Sequence, residues 1–183
     1  MSIGWASLIG KARLHAEQRN YLDRTQLTRH DFLLHSARMH DDEEHRVREI
    51  VDGALVQLME RDVALLRLNV HERTITARLA EYMQVSLPEW NVDPEYNRIR
   101  DRVKQVELDG RAVNVVPDII AHRRNSGDNL FILEAKKVGD DQADEYDRKK
   151  TKALKEQQGY RYAVFLRLRT GAENPGVESV EWL

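Results

Sequence analysis

VNVVPDIIAHRRNSGDNLFILEAKKV, residues 113–138, is the stretch that decides how this chain folds. It reads as two apolar strands folded back over Asn125-Ser126-Gly127-Asp128, a cluster of turn formers. Its anomaly is charge: Asp118, Glu134 and Lys136 stand inside the hydrophobic runs. An unpaired buried carboxylate costs several kcal/mol, so core strands exclude such residues unless each has a partner.

Strand periodicity puts Glu134 and Lys136 on one face of the later strand and Leu133 and Ala135 on the other. If Asn125, Ser126 and Gly127 form a three-residue loop with the glycine left-handed, Arg124 pairs with Asp128 and Asp118 falls opposite Glu134. A tight Ser126-Gly127 turn would instead pair Asp118 with Ala135 and send the carboxylates to opposite faces, so a shared face requires an odd loop or a bulge. Two facing carboxylates, about 5 Å apart at Cβ, repel each other. A divalent cation removes that repulsion, and hard oxygen ligands suit Mg²⁺ or Mn²⁺. Lys136, one rung further, stands where it can orient or deprotonate a cation-bound water and stabilise developing negative charge. A structural salt bridge between Lys136 and one carboxylate accounts for the same spacing. Pro117 is expected at a bend or an unpaired edge, since it cannot donate to a ladder.

Outward from the hairpin, WNVDPEYNRIRDRV (90–103) reads as a first strand, RAVNVVPDIIAHRR (111–124) as a second and NLFILEAKKV (129–138) as a third. The turns LDGR and NSGD join them into an antiparallel meander. DDQADEYDRKKTKALKEQQ (140–158) is a helix, acidic early and basic late. Gly159 stops it, and YRYAVFLRLR (160–169) is a strand that the helical crossover can lay parallel to an earlier one. Upstream, an amphipathic helix over 41–61 has Val47, Ile50, Val51, Ala54, Leu55, Leu58 and Met59 as its buried stripe. A second, over 69–84, turns Ile75, Leu79, Tyr82 and Met83 inward. Residues 1–40 are polar and expected to be helical, with Thr28 and Asp31 capping FLLHSARM, and carry no assigned chemistry. The division is an N-terminal helical extension (1–68) and a core (69–183) ordered helix, three strands, helix, strand.

Composition narrows the classes. The chain has 183 residues, 33% charged and 41% hydrophobic, and no cysteine. That excludes a thiolate nucleophile and a Cys-type zinc site. With no 18-residue apolar run and no signal-peptide pattern at the N-terminus, the expectation is a cytoplasmic protein with no membrane span and no disulfides. A net charge of −2 supplies no global field for nucleic acid, so any such binding must come from a local patch. His30, His35, His40 and His45 recur every five residues, which turns each by about 140° on a helix and prevents convergence on a metal.

Pro117-Asp118, fifteen intervening residues and then Glu134-Ala135-Lys136 resemble the signature of the PD-(D/E)XK nuclease superfamily. The resemblance covers roughly residues 69 to 170 and includes the order of elements. HERTITARLAEYM and EYNR also resemble stretches of small bacterial members. It implies an α/β, restriction-endonuclease-like core, with Asp118 and Glu134 as ligands of Mg (or Mn) and Lys136 as the catalytic lysine. The implied activity is metal-dependent phosphodiester hydrolysis, on DNA rather than RNA. The rival is a nuclease-like module that binds nucleic acid or a partner protein without cutting; intact Asp118, Glu134 and Lys136 argue against it.

Other candidates carry two readings each. Glu72 shares the inward face of Ile75 and Leu79, where relatives place a glutamate near the metal, yet Asn69-Val70-His71-Glu72 also fits a capping box. His71-Glu72-x-x-Ile75 lacks the second histidine of a zinc protease. Lys150 is read on a stripe with Ala143, Tyr146, Leu154 and Gln157, either near the scissile phosphate or as a snorkelling stem. Gln157-Gln158-Gly159-Tyr160 has the wrong spacing for the glutamine-tyrosine motif of some nucleases and is given no weight. Glu95, Asn97 and Arg98 support the site or pair with one another. Arg123, Arg124, Lys149, Lys150 and Lys152, with Arg148 and Lys155, are candidate phosphate contacts, while RKKTKALK equally describes a solvated helix end.

Overall fold

A computed structural model describes residues 38–99, 102–139 and 141–183. The readings on Thr28, Asp31, His30 and His35 lie outside the described residues. The chain divides into two compact units, Met1–Arg46 and Val47–Leu183. The second holds a mixed α/β fold with a mixed sheet.

Its centre is β7 (Asn129–Lys137), whose residues Leu130–Ala135 are all buried because both faces of the strand are covered. β6 (Ile119–His122) pairs with it antiparallel and β8 (Tyr160–Arg169) parallel. α4 (Asp141–Gln158) makes the crossover that a parallel pair needs, and Gly159, at φ +70°, ends it in the left-handed conformation. The edges are β1 (Asn91–Pro94) and β9 (Gly176–Trp182), giving the order β1-β6-β7-β8-β9.

Sheet pleating sorts the side chains into two layers. On one face, α1 (38–61), through Val51 and Leu58, and α3 (Glu72–Ser86), through Ile75, Leu79 and Met83, cover Ile119, Phe131, Leu133, Val164 and Leu166. On the other, α4 sets Ala153 and Leu154 against Ile120, Ile132 and Ala163. Among the described residues no helix is long and apolar enough to cross a membrane.

Two predicted strands prove to be interrupted. The run 90–103 stops at Pro94, which sits on an edge strand where its missing donor is tolerated, and Glu95 then takes φ +50°. The chain continues as a small antiparallel pair, β2 (Arg98–Ile99) and β3 (Arg102–Val103). The run 111–124 breaks over 115–118 into β5 (Arg111–Asn114) and β6. β5 pairs with β4 (Gln105–Leu108) across Asp109 and Gly110, at φ +50° and +74°, the two left-handed residues of a type I′ turn. LDGR is therefore a turn, as read, but it closes a side hairpin. The meander itself is β1-β6-β7, with β2 to β5 as an excursion between its first two strands. β9 and the short helix α2 (Val63–Arg67) have no counterpart among the elements expected from sequence.

Candidate active site

The β6–β7 ladder runs Ile119–Leu133, Ile120–Ile132, Ala121–Phe131, and then shifts to His122–Asn129, leaving Leu130 as a bulge. Extending that register by one residue sets Asp118, just before β6, opposite Glu134. By alternation Asp118 shares the face of Ile120, and Glu134 and Lys136 that of Ile132, which is the face under α4. The register expected from sequence is thus reached by a different route. The Arg123 amide donates to the Asp128 carbonyl at 2.9 Å, so the connection is the four residues 124–127. Asn125, at φ +61°, holds the left-handed position assigned to Gly127, whose φ is not positive. An even loop alone would have thrown the carboxylates onto opposite faces; the bulge restores them. Pro117 lies in the unpaired segment before β6, so the Ala135 amide meets a side chain: Asp118 Oδ2 accepts from it at 2.8 Å.

Glu134 is buried, and its Oε1 receives Lys136 Nζ at 3.0 Å and Lys150 Nζ at 3.3 Å. Asp147, on α4, receives the same two groups: Lys150 on Oδ1 at 2.6 Å and Lys136 on Oδ2 at 3.3 Å. Two carboxylates and two ammonium groups alternate in a closed ring. Burial opposes the charge on Lys136, but Glu134, Asp118 and Asp147 outweigh it and hold the ammonium well above its ordinary range. Lys150 is raised in the same way, against burial, by Glu134 and Asp147. Burial likewise opposes ionisation of Asp147, and the two lysines overcome it. Asp118 goes the other way: burial first, then the charge of Glu134, push its carboxyl up to about 7.

The two readings of Glu72 separate here. α3 begins at Glu72 itself, with His71 at the cap, where Nδ1 accepts from the Arg73 amide at 3.3 Å. The Glu72 carboxylate reaches over the end of the sheet, and Oε1 accepts from the Lys137 amide at 3.0 Å. Its charge contributes to the rise at Asp118. The stripe assigned to α4 is a step out of phase, since Ala143, Tyr146 and Gln157 are exposed while Asp144, Thr151 and Leu154 are buried. Polar residues occupy that inner face because each has a partner: Asp144 Oδ2 lies 2.9 Å from Arg167 Nε, and Thr151 donates to the Asp147 carbonyl at 2.8 Å. Lys150 does turn inward, and its terminus is an ion-pair partner. Asp147 was missed; its signal was the i, i+3 spacing to Lys150 and the i, i+7 spacing to Leu154.

Other candidates lie elsewhere. Arg123 and Arg124 follow β6 at its far end, five residues or roughly 16 Å along the strand from Asp118. Arg123 pairs with Asp128 at 3.4 Å, and Arg124 Nε donates to Asp93 at 3.0 Å. Lys149 and Lys152 are on the exposed face of α4, Lys149 being 3.9 Å from Glu145. Glu95 is bridged to Arg73, and its amide donates to the Asp118 carbonyl at 3.0 Å, so it borders the site without joining the ion ring. Gln157 clamps Glu107, accepting from its amide at 2.8 Å and donating to its carbonyl at 2.9 Å, which pins the side hairpin to α4. A second polar cluster has buried Lys104 donating to the Tyr96 carbonyl and the Tyr160 hydroxyl, both at 3.0 Å. It anchors the excursion to the sheet.

Among the described residues no group of three or more His, Cys, Asp or Glu side chains has the spacing to hold a metal ion. Asp118 and Glu134 form a two-carboxylate donor set, which is what Mg²⁺ or Mn²⁺ asks of a protein when water and substrate oxygens complete the shell. The donor chemistry fits, because burial first and then the charge of Glu134 oppose ionisation of Asp118, and a cation held between the two carboxylates would favour their charged forms. Comparison with protein-family models, curated proteins and solved structures gives no match.

Proposed function

We propose that this chain is a metal-dependent nuclease built on a restriction-endonuclease-like core, hydrolysing phosphodiester bonds with Asp118, Glu134 and Lys136 at its centre. The observation that carries the reading is the pair of carboxylates where the β6–β7 ladder ends, buried Glu134 and half-buried Asp118 set on one face by alternation, with the Lys136 ammonium 3.0 Å from Glu134. The order α3, antiparallel β1-β6-β7, α4, parallel β8 supports the fold assignment. DNA rather than RNA follows from the resemblance to the superfamily alone.

Asp118 and Glu134 would hold the cation, which when bound supplies Lewis acidity and an activated water. Lys136 is an ammonium at neutral pH, so its part is to donate hydrogen bonds to the attacking water or a phosphoryl oxygen rather than to take a proton. Lys150 brings a second ammonium to the same face. Glu72 fixes the end of β7 by accepting the Lys137 amide, and so holds Lys136 in register.

The alternative of binding without cutting draws on one feature: Glu134 is already neutralised by two lysines. Plasmid and single-stranded DNA incubated with the protein in Mg²⁺ or in EDTA separate the two. The nuclease reading predicts cleavage in Mg²⁺ and none in EDTA. Lys136→Ala should remove cleavage while leaving DNA affinity within a few fold, because its contribution is made in the transition state. DNA bound by the wild type and left intact in both Mg²⁺ and Mn²⁺ would establish the non-cleaving module.

A further inference from the structure

The ion ring contains a residue that the nuclease reading does not use. Lys136 and Lys150 both land on Glu134 Oε1, at 3.0 and 3.3 Å. That oxygen belongs to a carboxylate the cation would need. Both lysines are largely buried, and an ammonium stripped of its partner there is strongly disfavoured. Asp147 is already bonded to each of them, at 3.3 and 2.6 Å. Because Lys136 comes from β7 and Asp147 from α4, this is more than a pairing along one helix.

We propose that Asp147 is a positioning residue, which retains the ammonium groups of Lys136 and Lys150 when a divalent cation takes Glu134. The inference rests on the nuclease reading of the site. Cation entry then shifts each lysine between two partners it already has instead of leaving it unpaired. Without Asp147 the two lysines have Glu134 as their shared carboxylate and compete with the cation for it.

Calorimetric titration of the full chain with Mn²⁺ tests this on wild type, Asp147→Asn, Lys150→Met and the double variant. Asp147→Asn should weaken Mn²⁺ binding by about tenfold, the order found when an outer partner of a metal site is lost. Adding Lys150→Met should recover most of that loss, a non-additive result, because one competitor for Glu134 has gone. Asp147→Asn that binds Mn²⁺ like the wild type, or a double variant with no recovery, overturns the proposal. If Asp147→Asn does not fold, the Mn²⁺-loaded wild-type crystal decides: both ammonium groups on Asp147 with manganese at Glu134 support the proposal, and either lysine still on Glu134 beside the metal, or released from Asp147, refutes it. A wild type that takes up no Mn²⁺ sinks the nuclease reading itself, and this inference with it.

Discussion

Burial and the charge of Glu134 push the Asp118 carboxyl up to about 7, against an ordinary 3.8. Between those values the folded state binds the extra proton, so the contribution to stability is complete below the lower one and is lost as pH rises through the upper. Asp118→Asn removes the ionisable group but keeps an oxygen for the Ala135 amide. Without divalent cations the variant should therefore melt above the wild type near about pH 8, with the gap narrowing as pH falls and closing only below about pH 4. Added Mn²⁺ should raise the wild-type melting temperature and leave the variant's unmoved, since only a ligand that prefers the folded state stabilises it. Thermal melts across that pH range check both, and a gap independent of pH would contradict the assignment. The charges of Asp118, Glu134 and Lys136 were legible because they interrupt apolar runs. Asp147 was not, because exposed Ala143 and Tyr146 drew the apparent inner stripe of α4 a step round the helix. What makes Asp144 and Asp147 tolerable inside is Arg167 and Lys136, residues on strands distant in sequence from α4.

The β6–β7 hairpin shows how register can be read correctly for the wrong reason. Side-chain alternation reports only the total offset between strands, and a four-residue connection plus a bulge at Leu130 gives the same offset as a three-residue loop. The distinction is testable by substitution. Gly127 has no positive φ, and an added Cβ meets nothing within 4 Å, so Gly127→Ala should leave stability unchanged or raise it by up to about 1 kcal/mol. Asn125 holds φ +61°, so Asn125→Val should cost about 1–3 kcal/mol while Asn125→Gly stays close to neutral. Denaturant midpoints measure all three, and a larger loss at Gly127 than at Asn125 would restore the three-residue loop. The same limit explains the interrupted strands: the runs over 90–103 and 111–124 keep enough β-formers to read as continuous. Their breaks depend on a left-handed Glu95 and on Pro117, each next to a residue that a neighbouring strand claims.

For the whole molecule, the elements that read well were those with a full buried stripe or two covered faces. α1 from Val47, α3, β7 and β8 fall close to where their patterns put them, α4 has the expected extent but a shifted inner face, and β8 lies parallel to β7 across the α4 crossover. β9 was invisible because Gly176–Trp182 is an edge strand without full alternation of buried and exposed residues. On the proposed reading this arrangement brings Asp118, just before β6, and Glu134 of β7 under α4 to hold one divalent cation. Anomalous diffraction from crystals grown with Mn²⁺ is the decisive experiment. A single strong peak should touch both carboxylates, with Lys136 and Lys150 withdrawn from Glu134 onto Asp147. A map with no peak there, or with manganese bound elsewhere while both lysines remain on Glu134 Oε1, would contradict that reading.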